Sequence, residues 1–174
     1  MSIRTTLLSA IVVFAAVSSA LAANELPMRT TPIPETTIGV PHVQIGIEPV
    51  QEISEALLDK VATIPGVDIR STVISLPGAL GFWFKEDVTV ARPEVIVGGR
   101  EFAHIHPNGS LHASLPPALA QQAVVTGWAV SHPWANQRPG WEGFVMIFTP
   151  TNMEELDVVL DLVQASYDFV TGQD

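Results

Sequence analysis

Two segments near the middle of the chain alternate apolar and polar residues with the period of a β-strand. They span 101–106 and 110–115, and a Pro-Asn-Gly tripeptide at 107–109 separates them. Proline, asparagine and glycine in that order suit a three-residue hairpin loop, in which a type I turn is followed by a residue with positive φ. The pattern therefore predicts an antiparallel hairpin in which His104 lies opposite His112.

This register divides the side chains of the hairpin between two faces. The apolar face holds Ala103, Ile105, Leu111, Ala113 and Leu115. The polar face holds His104, His106, Ser110, His112 and Ser114. A two-residue Asn-Gly turn would instead carry His112 to the apolar face, and we disfavour it because it buries a lone imidazole among aliphatic side chains. Three imidazoles are thus expected on one face, spaced by about 5–7 Å.

Other segments have the patterns of helices and of further strands. Apolar residues recur at helical spacing over 50–61, over 116–126, and after Asn152, which is a suitable N-cap. Short segments bounded by turn residues predict strands at 67–76, 80–84, 94–97 and 144–148.

Consecutive strands joined by short turns imply a mostly antiparallel sheet. The predicted fold is therefore α+β, with a sheet of about five to six strands and helices packed on it. Residues 50–174 form a single domain in this interpretation, and 128–141 is predicted to be a loop.

The N-terminal segment has the pattern of a secretory leader. Arg4 precedes an apolar run, and small residues follow it, so residues 1–22 are predicted to be a signal peptide that is cleaved after Ala22. An uncleaved anchor is the alternative, but the run is short for a membrane span. The following Pro/Thr-rich segment, 23–49, is predicted to be an extended lead-in, and His42 within it an ordinary polar loop residue.

Composition narrows the classes of partner. The chain has 18 acidic and 8 basic residues, a formal net charge of −10, and no cysteine. An acidic surface repels phosphate backbones and anionic lipid headgroups, so we expect no nucleic-acid partner and no membrane-surface binding. Without cysteine the protein has neither disulfides nor a thiol nucleophile. With the leader, these features predict a periplasmic or secreted protein that has no stable membrane span after cleavage.

The histidine face of the hairpin suits two kinds of chemistry. Three neutral imidazoles, those of His104, His106 and His112, can ligate Zn²⁺, Fe²⁺ or Cu²⁺ and leave a position open for substrate. Alternatively, one imidazole acts as a general base while the others orient it or bind an anion. A solvated polar face without a site is the third possibility. Glu101 is expected to point to the apolar side, pairing with Arg100 or a neighbouring strand.

The predicted loop at 128–141 is rich in tryptophan. Trp128, Trp134 and Trp141 can line a pocket for a flat aromatic molecule, or they can simply cover the end of the sheet. Trp128 directly follows a predicted helix, which also fits a place in the core. His132 precedes a proline and is expected to reach the hairpin as a fourth histidine.

Several short motifs resemble the luciferase-like domain of fungal bioluminescence, which uncharacterised bacterial proteins share. They are REFAHIH at 100–106, LH at 111–112, GW at 127–128 and SHP at 131–133, followed by Pro150 before the final helix. The resemblance covers roughly residues 50–172. Compared with the fungal pattern, the hairpin loop is shorter, Thr151 replaces an arginine, and Trp134 replaces an aliphatic residue.

Fungal luciferase adds molecular oxygen to a hydroxylated 2-pyrone and releases CO₂ with light, without an added organic cofactor. The resemblance implies a small aromatic or enolic substrate, molecular oxygen as its partner, and no favoured cofactor. It also implies that His104, His106, His112 or His132 deprotonates an enol or phenol and stabilises its anion. The substrate-binding candidates are Trp128, Trp134, Arg100 and Ser110.

Three hypotheses follow for the function. The leading one is an exported, oxygenase-like enzyme that uses the histidine cluster. The second is a metal-dependent enzyme or metal-binding protein, with Zn, Fe or Cu held by His104, His106 and His112. The third is a non-catalytic module that binds a small ligand in a tryptophan-lined pocket.

Overall fold

The structure, a computed structural model, describes residues 25–174. The predicted signal peptide and its cleavage site lie outside the described residues. The helices are α1 (Gln51–Ala62), α2 (Pro117–Val125) and α3 (Met153–Thr171), with a short 3₁₀ helix at Pro93–Val95. The strands are β1 (Glu35–Thr36), β2 (Gln44–Ile45), β3 (Val67–Ser71), β4 (Leu80–Phe84), β5 (Glu101–Ile105), β6 (Leu111–Ser114), β7 (Ala129–Ser131) and β8 (Phe144–Ile147).

Six strands form one sheet in the order β3-β4-β5-β6-β8-β7, and every neighbouring pair is antiparallel. The predicted α+β fold is thus confirmed. The hairpin β5–β6 lies at the centre of the sheet, so both of its strands are paired on both sides. A central position fixes the backbone of the hairpin more firmly than an edge position would.

Helices cover one face of the sheet and bury its apolar side chains. Helix α3 packs on β5 and β6, and it also contacts α1. Ile105 and Leu111 of the hairpin belong to the same buried core as Leu162 of α3. The Asn152 side chain caps α3 by accepting a hydrogen bond from the Glu155 backbone N–H at 2.9 Å, as the sequence predicts. The opposite face of the hairpin is therefore free to build a site.

Two predicted elements differ from the structure. The strand predicted at 94–97 is wrong, because this segment begins with a 3₁₀ helix that has Pro93 at its start. Both edges of β5 are already taken by β4 and β6, so the segment has no free edge there. The predicted loop at 128–141 contains β7, which pairs with β8 at the edge of the sheet. Strand β7 has only three residues, which are too few for an alternating apolar and polar pattern to predict a strand.

The described part of the lead-in packs on the domain. Strands β1 and β2 form a separate two-stranded sheet. Gln44 of β2 donates a hydrogen bond to the Thr149 hydroxyl at 2.6 Å. Arg29 is buried and pairs with Glu155 of α3 at 3.1 Å. These contacts hold the lead-in against the domain and place His42 beside the hairpin. No helix within 25–174 has the length and apolar character that crossing a membrane requires.

Candidate active site

The central hairpin has the predicted register. His104 lies opposite His112, and the His106 backbone N–H donates to the Ser110 carbonyl at 2.8 Å. Gly109 has φ of 81°, the left-handed conformation that the third loop position requires. The three imidazoles therefore share one face, with ring centroids 4.7–5.3 Å apart.

Two histidines from outside the hairpin complete the cluster. The ring of His132, just after β7, lies 4.7 Å from that of His112. His42 stacks on His112, with centroids 5.4 Å apart and planes at 13°, and it meets His132 edge-on at 5.1 Å. The prediction that His42 is an ordinary polar loop residue is wrong, because the packing of the lead-in buries it in the cluster. All five histidines of the chain are buried together.

A pocket of about 220 Å³ opens onto the cluster. Most of its other wall is apolar, so a bound ligand would be shielded from water. Trp134, a predicted substrate-binding residue, lines it. The full lining comprises Val40, Pro41, His42, Ile74, Ser75, Leu76, Val97, His104, His106, His112, His132, Trp134 and Phe144.

The other substrate-binding candidates lie outside this lining. Trp128 is buried, and its indole N–H donates to the Pro27 carbonyl at 2.6 Å, so it is part of the core. Arg100 donates to the carbonyls of Phe84, Lys85 and Val88 and so fixes the turn after β4. Ser110 contacts the site through His106 and does not face the pocket itself.

Glu101 differs from its prediction. Its carboxylate lies on the histidine side, 3.1 Å from His104 Nδ1. The reason is a β-bulge in β5: Ala103 pairs with Phe82 and Glu101 with Trp83, so Phe102 is an extra residue without a partner. The bulge breaks the alternation of side chains and turns Glu101 towards His104, while Phe102 remains in the core. Alternation alone could not reveal an acidic group on this face.

The Glu101 carboxylate accepts hydrogen bonds from two donors, the Thr72 hydroxyl at 2.6 Å and the Val73 backbone N–H at 2.9 Å. His104 Nδ1 faces the same carboxylate at 3.1 Å. Gly81 lies opposite His104, and a Cβ there would stand 2.8 Å from Glu101 Cδ. Glycine at this position therefore leaves the space that the carboxylate fills.

These contacts fix which nitrogen of each hairpin imidazole carries the proton when the ring is neutral. The carboxylate 3.1 Å from His104 Nδ1 can only accept, so it favours the proton on Nδ1 and leaves a free lone pair on Nε2. That lone pair accepts from His112 Nδ1, at 3.1 Å. His112 Nε2 is then an unprotonated nitrogen, and it has no hydrogen-bond partner among residues 25–174. The site thus presents one buried basic nitrogen.

The tautomers of the next two histidines follow in the same way. The Ser110 hydroxyl donates to Asn108 Oδ1 at 2.8 Å, so it accepts from His106 Nδ1, at 3.0 Å, and leaves His106 Nε2 unprotonated. His132 Nδ1 accepts from the Trp134 backbone N–H at 3.0 Å. Neutral His132 therefore carries its proton on Nε2 and is a donor on that side. The cluster thus combines unprotonated nitrogens on His106 and His112 with an N–H donor on His132.

Burial keeps these imidazoles neutral. It lowers the pKa of His106 to about 3 and that of His132 to about 4, with neighbouring imidazoles adding to the effect. Burial also lowers the pKa of His112 well below its usual 6.5, and the pKa of His42 falls for the same reason. A neutral imidazole can accept a proton, so at pH 7 these rings are in the form that a general base needs.

The donor atoms also allow a test of the metal hypothesis. Two triads have nitrogens close enough to share an ion, His104-His106-His112 and His42-His112-His132. In the first, however, both nitrogens of His104 already have partners: Nδ1 contacts the Glu101 carboxylate and Nε2 is hydrogen-bonded to His112. In the second, His132 presents an N–H and no lone pair. Either triad would have to give up a buried hydrogen bond to hold a metal.

Comparison with known proteins finds similarity to one family. Residues 99–166 match the Luciferase domain family. Over 133 aligned residues the chain is 29% identical to the luciferases of Armillaria ostoyae and Armillaria gallica and 30% identical to that of Armillaria mellea. Each alignment covers 65% of this chain and 49% of the relative, so the chain spans about half the length of these curated relatives. No solved structure matches.

The matched part of the chain includes most of the cluster. It contains Glu101, the three hairpin histidines and His132. His42 precedes the matched residues and reaches the site from the lead-in. The family match therefore covers the hairpin and the edge of the sheet, whereas the wall formed by the lead-in lies outside it.

Proposed function

We propose that this protein is an exported, oxygenase-like enzyme that acts on a small aromatic or enolic compound of the hydroxypyrone type. The similarity to luciferases supports an oxygenase-like function at the level of class. The relatives are named only as luciferases, so the substrate class rests on the resemblance of the sequence motifs and the mechanism on the geometry of the pocket. Export rests on the leader pattern at residues 1–22.

The observation that carries the proposal is the unpartnered, buried Nε2 of His112. It is an unprotonated nitrogen of a ring that lines a mostly apolar pocket of about 220 Å³. A small enol or phenol bound there can donate its O–H to this nitrogen. A hydrogen bond is electrostatically stronger where water is excluded. The buried nitrogen is therefore an effective base only for a ligand that fills the pocket and displaces its water.

His132 has the complementary role. Its ring lies 4.7 Å from that of His112, and its Nε2–H is a donor. When the substrate loses its proton, this N–H can stabilise the negative charge on oxygen. An ionised enol or phenol is electron-rich and reacts with molecular oxygen more readily than the neutral form. In this proposal the protein makes and holds the anion, and no resident metal or organic cofactor takes part.

A metal-dependent activity is the second candidate, and one observation favours it. His112 belongs to both triads that have metal-ligand spacing, and its Nε2 has no hydrogen-bond partner within residues 25–174. Metal analysis of the purified protein separates the two candidates. Stoichiometric Zn, Fe or Cu that disappears in the His104→Ala variant would replace the metal-free proposal.

The proposed activity is tested by oxygen uptake with a panel of hydroxypyrones and catechols. We expect turnover of at least one of them, and a loss of about 10²- to 10⁴-fold in kcat for His112→Asn, the range of a general base. Ser114→Ala is the matched control, since Ser114 lies on the same face of β6 but donates to the Val95 carbonyl. We expect this control to keep its activity.

Two results would count against the enzyme. Tight binding of panel compounds without oxygen uptake would make the domain a ligand-binding module, and uptake that His112→Asn leaves unchanged would remove the proposed base. Export has its own measurement, the N-terminal sequence of the protein recovered from the periplasm or the medium. We expect it to begin at Ala23.

A further inference from the structure

We propose that Glu101 and His104 form a proton relay behind His112, in which His104 carries the charge that His112 would otherwise hold after it takes a proton. The catalytic part of this inference rests on the proposed function. The relay itself is a property of the resting protein, so it can be tested without knowledge of the substrate.

The three side chains form a continuous chain of polar contacts. Glu101 Oε1 lies 3.1 Å from His104 Nδ1, and His104 Nε2 lies 3.1 Å from His112 Nδ1. The next nitrogen, His112 Nε2, has no partner within the described residues. The chain therefore begins at a buried carboxylate and ends at a free lone pair beside the pocket.

A buried base needs such a chain because a positive charge on His112 is costly. The ring is 4% exposed, and His42, His104, His106 and His132 all lie close enough to disfavour the charge. Without a neighbour that takes over the charge, His112 would be too weak a base to deprotonate an enol or phenol at neutral pH. His104 differs from its neighbours because its Nδ1 contacts a carboxylate, which compensates a positive charge on that ring.

The proton moves in two coupled transfers. The O–H bond of the substrate breaks, and its proton binds to His112 Nε2. The proton on His112 Nδ1 moves to His104 Nε2. His112 is then neutral again with its proton on Nε2, while His104 is an imidazolium paired with the Glu101 carboxylate. One proton enters the chain, the substrate keeps the electron pair as an oxyanion, and no oxidant takes part in this step.

The fold holds the carboxylate in place through contacts that serve no other side chain of the cluster. Thr72 and the Val73 backbone N–H donate to its two oxygens, at 2.6 and 2.9 Å. The missing side chain of Gly81 leaves the space it occupies. The bulge at Phe102 turns it to the histidine side. Glu101 is thus a positioning residue that acts through His104.

The resting state of the relay is measured by ¹⁵N NMR of the mature protein labelled at histidine, with each ring assigned by its own His→Gln variant. We expect His104 and His112 both to be protonated on Nδ1 and unprotonated on Nε2 at pH 7. Detection of the His112 proton on Nε2 at that pH would overturn the relay, whatever activity the protein has.

The charge of Glu101 is tested by Glu101→Gln, with Glu155→Gln as the matched control. Glu155 is also a buried carboxylate, but it pairs with Arg29 away from the pocket. For Glu101→Gln, we expect His104 to lose its preference for a proton on Nδ1, so that the ¹⁵N signals of His104 and His112 show mixed tautomers. We expect no such change for Glu155→Gln. The groups that face the pair are Glu101, His42, His106 and His132.

With a compound that the enzyme turns over, we expect Glu101→Gln to lower kcat by about 100-fold, the low end for a general base, with little change in KM. Glu101→Asp restores the charge and should recover part of the loss. If Glu101→Gln only destabilises the fold, as Glu155→Gln does, and leaves both the tautomers and kcat unchanged, the pair is structural and the relay is refuted. If no compound is turned over but the tautomers of the wild type and of Glu101→Gln are as expected, the relay stands and the proposed substrate class falls.

Discussion

The five histidines reach the cluster in two ways, and the two groups are held differently. His104, His106 and His112 stand on the central hairpin, where backbone pairing fixes their spacing and each ring has a nitrogen hydrogen-bonded to another side chain. His42 and His132 come from segments outside the hairpin. His132 is held by the Trp134 N–H, and His42 has no partner for Nδ1 within the described residues.

The difference suggests a division of roles. Rings on the hairpin are oriented through their second nitrogen, so their tautomers are set before a ligand arrives. This preorganisation is what a base and its relay need. The rings from outside shape the opposite wall and supply one donor. We therefore expect the two groups to respond differently to substitution, and three experiments test this.

The largest effect is expected for the donor of the second group. His132→Phe keeps an aromatic ring but removes the Nε2–H, and we expect kcat to fall by about 10²- to 10³-fold, the cost of losing one oxyanion donor. His132→Gln carries an N–H and should recover part of this loss. Oxygen uptake measures both. If the wild type and His132→Phe are equally active, His132 does not stabilise the anion, and only residues of the hairpin take part in the reaction.

An effect of intermediate size is expected on the stability of the fold when the pH is lowered. The unfolded chain protonates its histidines near pH 6.5, whereas folded His106 does so only near 3 and His132 near 4. Between these values protons bind the unfolded state more strongly, so stability falls as the pH falls from about 6.5. At about 1.4 kcal/mol per pKa unit, either group contributes up to about 3 kcal/mol of this loss at pH 4.

Urea unfolding at pH 7 and pH 4 measures the acid effect. We expect His106→Gln to reduce the difference between the two pH values slightly more than His132→Gln, because the pKa of His106 is lowered further. The same pH dependence in both variants and in the wild type would show that these rings are not the source of the acid sensitivity.

The smallest effect is expected for His42. Its visible role is to stack on His112, so His42→Phe should keep near wild-type activity and His42→Ala should lose about 1 kcal/mol of stability, as for other aromatic pairs. Chemical denaturation and oxygen uptake check the two variants. A kcat for His42→Phe as low as that of His112→Asn would place His42 in the chemistry and end the distinction between the groups.

The sequence predicts what is local and periodic. The Pro-Asn-Gly loop determines the hairpin register, and alternation then places His104, His106 and His112 on one face, as observed. His42 was missed because it reaches the cluster through contacts such as that between Gln44 and Thr149, which are far apart in the chain. Trp128 and Arg100 have motif positions that look functional, yet their donors are used by backbone carbonyls outside the pocket.

Glu101 was missed for a different reason, and the reason has a practical consequence. On a regular strand an acid and a histidine that touch side by side would be spaced E-x-H, because residues two apart share a face. Because Phe102 is unpaired, an acid and a histidine with the spacing E-x-x-H lie side by side here. A search for related sites in other sheets should therefore accept both spacings. In this chain, deleting Phe102 would give the E-x-H spacing on a regular strand, so we expect the acid to stay beside His104 while the core loses a phenylalanine side chain.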